Sequence, residues 1–137
     1  MSFRILEHTA DLGLEAWGSD LSAALDQAVA ALAAILAGEG AAQGLERRAI
    51  AVDEPDVDAS VVALLSECLY LLEVEGWLAC GAQLSVDGQG RIQGNLLGEP
   101  FHSTRHGEGV AVKAITWHQL SVVVQPGGVT ITTYVDC

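Results

Sequence analysis

Asp11 and Asp136 stand near opposite ends of this 137-residue chain, and carboxylates are the natural ligands of hard cations. Asp11 belongs to the run Glu7-His8-Thr9-Ala10-Asp11-Leu12-Gly13-Leu14, and Asp136 is the penultimate residue, in Tyr134-Val135-Asp136-Cys137. Chain ends usually fray, so a strand-like run that closes without a polar tail is unusual. If the first and last strands lie side by side, both carboxylates and the terminal carboxylate of Cys137 converge. Such an all-oxygen cluster suits a divalent ion. Taken singly, Asp11 is a turn residue ending a strand and Asp136 a solvated end residue. A second polar group runs from His102 through Arg105 and His106 to Gly109, a loop rich in groups that bind phosphate or protons. Lys113 follows in a strand-like stretch. Strict alternation puts it on the face of Ile115 and Trp117, opposite His118, unless a bulge intervenes. On its own, Lys113 reads as an exposed strand lysine and His118 as a structural histidine.

Familiar catalytic signatures are missing. Gly88, Gly90 and Gly94 lack the ending of a phosphate-binding P-loop, and neither GxSxG nor HExxH occurs. Cys68, Cys80 and Cys137 are odd in number with no CxxC spacing, which fits a reducing compartment rather than a disulfide or zinc framework. The net charge of −12 is lopsided: residues 1–75 hold fourteen acidic and three basic side chains, residues 76–137 four and three. That balance disfavours direct binding to nucleic-acid backbones. No apolar stretch reaches the roughly 18 residues of a membrane span, and the N-terminus lacks a signal peptide's apolar centre. A cytoplasmic chain without membrane attachment is expected.

These groups must be positioned by a mixed set of elements, expected as one domain over residues 1–137. Strands are expected over Phe3–Glu7 and Gly13–Trp17, with Asp11 in the turn between them. Leu21 to Ala37 has apolar residues at spacings of three and four and high helix propensity, with Ser19 or Asp20 as its cap and Gly38 as its stop. Arg47–Val52 alternates like a strand. A second helix follows, capped by Asp58, running to about Val74 and ended by Gly76. Strands are then expected over Ala82–Val86, Arg91–Gly98, Val110–Val124 and Val129–Val135, joined by turns at 87–90 and 126–128. The class is α+β: a mostly antiparallel sheet system covered by two helices.

Four segments, in order, resemble the archease family. They are His8-Thr9-Ala10-Asp11-Leu12-Gly13-Leu14; Glu67 to Gly76; His106-Gly107 with Val112-Lys113-Ala114-Ile115-Thr116-Trp117-His118; and the closing Val135-Asp136-Cys137. The resemblance implies a protein that assists the GTP-dependent RNA ligase of tRNA splicing and RNA repair. Such a protein promotes guanylylation and repeated turnover of the ligase without itself being an enzyme. It implies a site for a divalent ion (calcium, magnesium or manganese) at Asp11, Asp136 and the carboxylate of Cys137. It also implies roles in ligase activation for Lys113, His8 and His106. The expected partner is the ligase, with tRNA or broken RNA reached only through it, and a monomer is expected. Cys137 stands where the family has Ile, which leaves the ligand intact but unsettles burial of the last side chain. Trp117 stands where Tyr is common. The alternatives are an independent metal-dependent hydrolase and a chaperone-like interaction module.

Overall fold

In the computed structural model, the described residues are 2–7, 11–38, 42–102 and 109–137, excluding the side chains of Glu7, Asp11 and His118. They form seven strands and two helices: β1 (Ser2–Glu7), β2 (Asp11–Gly18), α1 (Leu21–Ala37), β3 (Glu46–Val52), α2 (Val57–Glu75), β4 (Trp77–Val86), β5 (Ile92–Pro100), β6 (Ala114–Gln125) and β7 (Gly128–Asp136). The strands build two antiparallel sheets, β1-β2-β7-β6 and β3-β5-β4. The α+β class expected from the sequence is therefore observed. In the described residues no helix is long and apolar enough to cross a membrane.

Helix α1 starts where Asp20 accepts a hydrogen bond from the Ala23 N–H (2.8 Å) and ends at Gly38, whose N–H bonds the Ala34 carbonyl at 2.9 Å. Its composition leaves little polar surface, and Ala24, Leu25, Ala28, Val29, Ala31 and Leu32 are all buried. A helix apolar on most sides must be covered on most sides. Here β2 of one sheet and β4 of the other both pack on it, so α1 ties the two sheets together. Burial of each such Leu or Val is worth about 1.5–3 kcal/mol. One polar residue of α1 has a defined task. Asp26 accepts a hydrogen bond from the Ala82 N–H (2.8 Å), beside the register shift between Ala79 and Gly81 in β4.

Helix α2 packs against β6 and β4. Asp56, not Asp58, is its cap, accepting from the Ala59 N–H at 2.8 Å; Asp58 lies in the first turn. Both aspartates are favoured near a helix N-terminus, and only local geometry separates them. Gly76 ends α2 in the left-handed region (φ 65°), as expected of a glycine stop. Two other bounds differ from expectation. Strand β4 begins at Trp77, directly after the helix, because the apolar run Trp77–Ala79 is buried by the fold and shows no alternation. Strand β6 begins at Ala114, so Lys113 precedes the strand rather than lying inside it.

Candidate functional site

The end row of the four-stranded sheet holds two of the residues singled out above, Asp11 and Asp136. Asp11 is the first residue of β2, so it stands in the strand rather than in a turn. Its register partner is Asp136 of β7, whose partner on the other side is Ala114 of β6. The neighbour of the last strand is thus the second strand, not the first; β1 is at the sheet's edge. Because β7 is flanked by β2 and β6, residues 128–136 lie inside a sheet and are held on both sides.

Asp136 is exposed, while its neighbours alternate as the pleat requires: Val129, Ile131, Thr133 and Val135 face the core and are buried. Lys113 is also exposed, and its backbone N–H donates to the Asp136 carbonyl at 2.7 Å. Backbone pairing therefore brings Asp11, Asp136 and Lys113 together. Cys137 is half-buried and packs against the core, so the exchange of Ile for Cys does not expose the last side chain. Its Sγ approaches the Val135 carbonyl at 4.0 Å. His8 and His106 lie outside the described residues, as do most of the loop 102–109 and the side chain of His118.

Three features that hold this row were not read from the sequence. Gly13 sits under the ring of Tyr134, its register partner: a Cβ there would stand 2.7 Å from the ring and 3.0 Å from Leu6 Cβ. The glycine two residues after Asp11 thus lets an aromatic ring lie across β2. Gly109 is pressed on the end of α1, where an added Cβ would meet the Leu36 carbonyl group at 2.1 Å. The next residue, Val110, donates its N–H to the Ile35 carbonyl (2.8 Å), satisfying one acceptor the helix end leaves over. These two contacts fix the segment that delivers Lys113. Finally, β6 is bulged between Thr116 and Ser121, with Gln119 at φ 53°. Strict alternation therefore fails beyond Thr116, and Trp117 lies in the irregular stretch, 58% exposed.

The exposed carboxylate of Asp136 is an oxygen donor, which suits a hard cation better than a soft one. Among the described residues no group of three or more His, Cys, Asp or Glu side chains is arranged to hold a metal. Cys68 offers little: burial, followed by the charge of Glu67, pushes it up to about 12, while burial also raises the half-buried Cys80. A protonated, enclosed thiol is neither a nucleophile nor a ligand at neutral pH.

Two antiparallel sheets joined by two helices define the class of fold. The chain matches the Archease protein family over residues 3–137 and belongs to it. The curated relatives it resembles include Protein archease of Saccharolobus islandicus, 30% identical over 136 residues (98% of each chain). Protein archease of Pyrococcus furiosus is 29% identical over 125 residues, covering 89% of this chain and 88% of that one. Two solved structures share the fold. One is protein 1598 of Methanobacterium thermoautotrophicum (TM-score 0.78, 21% identity, 98% of both chains). The other is an archease of Thermotoga maritima described as a possible chaperone (TM-score 0.66, 16% identity, 96% of this chain and 94% of that one).

Proposed function

We propose that this protein activates a GTP-dependent RNA ligase, promoting guanylylation of the ligase and its repeated turnover. Asp11, Asp136 and the main-chain carboxylate of Cys137 would hold a divalent ion. The observation that carries this reading is the register Asp11↔Asp136 between β2 and β7. Residues directly opposite in an antiparallel pair share a face and stand about 4.5–5.5 Å apart at Cα, within reach of one ion. When bound, a divalent ion supplies positive charge that offsets phosphate oxygens. Lys113, exposed and tied by its backbone to Asp136, adds a second positive group beside the pair. His8 and His106 complete the proposed set, as orienting or proton-handling groups. The acidic balance of the chain supports a partner that is basic enough to hold RNA, and opposes direct RNA binding.

The test is transfer of labelled GMP to the cognate ligase, using wild type, Asp11→Ala, Asp136→Ala and Lys113→Ala, each checked for folding by circular dichroism. We expect stimulation by wild type and loss of it in both aspartate variants. No stimulation by wild type would remove the activator reading. Equal stimulation by every variant would keep the partner and remove the site.

A further inference from the structure

A second surface adjoins the site through the segment that carries Lys113. Between α2 and residues 109–112 lies a groove of about 330 Å³, lined by Leu36, Leu69, Leu72, Glu73, Val110 and Val112 among others. Apolar side chains form its floor and Glu73 its charged wall. Val110 is 40% exposed at the groove, and Tyr70 and Val74, one turn apart on the helix that forms its other wall, are 49% and 63% exposed. Uncovered apolar groups clustered in this way mark a contact surface. Among the described residues that line the groove, Glu73 is the one that carries a charge, and Lys113 follows just beyond Val112. Helix α2 contains Asp58, Glu67, Glu73 and Glu75 and no basic residue, and residues 109–112 carry no charge. A second copy of this chain, itself at −12, is electrostatically disfavoured here.

The geometry points to a docking groove for a segment of the RNA ligase that carries an apolar anchor next to a lysine or arginine. The apolar side chain enters between Leu72 and Val110, and the cation faces Glu73. This rests on the reading of the chain as a ligase activator and gives the partner a place to bind. Val112 is the neighbour of Lys113, so an occupant of the groove lies directly alongside the Asp11–Asp136 row. Docking and activation then reside on adjacent but separable residues.

The experiment measures binding of the cognate ligase to labelled wild type, Val110→Asp, Glu73→Lys and Asp136→Ala. Leu45→Asp serves as a control for placing charge on another exposed apolar residue (70% exposed). Val110 and Glu73 are exposed, so their variants fold, as melting curves will verify. Dissociation constants about tenfold or more higher for Val110→Asp and Glu73→Lys, with little change in Leu45→Asp, are expected of an anchored contact. Asp136→Ala should bind like wild type and fail to stimulate, whereas saturating Val110→Asp should still stimulate. Wild-type affinity in both groove variants overturns the inference and leaves the activator reading standing. A dimer of this chain abolished by Val110→Asp, with ligase binding unchanged, overturns it in favour of a second copy. Failure of wild type to bind the ligase overturns both readings.

Discussion

Replacing Gly109 by Ala is expected to loosen the segment that presents Lys113. The added Cβ meets main-chain atoms of Leu36 at 2.1 Å and the Ile35 carbonyl oxygen at 2.5 Å, and a helix backbone cannot yield as a side chain does. The segment must therefore lift from α1. That breaks the Val110 N–H bond to Ile35, worth about 1 kcal/mol. It also partly exposes Val112, now 4% accessible, at a cost of up to about 2 kcal/mol. Restricting the unfolded chain with a Cβ returns about 0.4–1 kcal/mol. The net loss is about 2 kcal/mol, which for a domain of this size lowers the melting temperature by about 5–10 °C. Urea and thermal unfolding would be compared with Gly88→Ala and Gly127→Ala, positions where an added Cβ meets nothing within 4 Å. Amide exchange at Val110 reports the local event, with protection in wild type and loss in the variant. If Gly109→Ala is as stable as the two controls and keeps Val110 protected, the packing of this segment on α1 is refuted.

Three further outcomes can be checked on the isolated protein. The Thr133 hydroxyl is buried without a hydrogen-bond partner among the described residues, so Thr133→Val should raise the urea midpoint by an amount equivalent to about 1–2 kcal/mol. Gly13→Ala drives a Cβ into the Tyr134 ring and should cost about 1–3 kcal/mol by overpacking. The cost should shrink in a Tyr134→Ala background, where a double-mutant cycle reads the coupling. Folded Cys68 keeps its proton up to about 12, against 9.0 for a free thiol. The native state therefore holds more protons than the unfolded state above pH 9, and stability should fall as pH climbs from 9 toward 12. The same thiol should resist a disulfide reagent at pH 8 until urea unfolds the chain.

Local rules served well where the chemistry is local. The apolar spacing of Leu21–Ala37, the stop at Gly76 and the turns at 87–90 and 126–128 stand in the structure as read. They failed where two residues offer the same chemistry, as with Asp56 and Asp58 at one helix start. They failed again where tertiary burial hides the pleat, as in Trp77–Ala79, and where a bulge breaks it, as after Thr116. For the site, residue types and order made Asp11, Asp136 and Lys113 visible. What was not legible is strand order: that β2 rather than β1 neighbours β7 is a pairing of segments far apart in the chain, and no spacing encodes it. The roles of Gly13 and Gly109 were equally hidden, since each is set by an atom distant in sequence.

The claim on which the function rests is that Asp11 and Asp136 act together on one ion. It is tested most directly by titrating manganese into wild type, Asp11→Asn, Asp136→Asn and the double variant, with bound ion counted by electron paramagnetic resonance. We expect one site in wild type, its affinity lost in either single variant, and no further loss in the double variant. Two independent losses that add, or a single variant that binds as wild type does, would contradict a shared site.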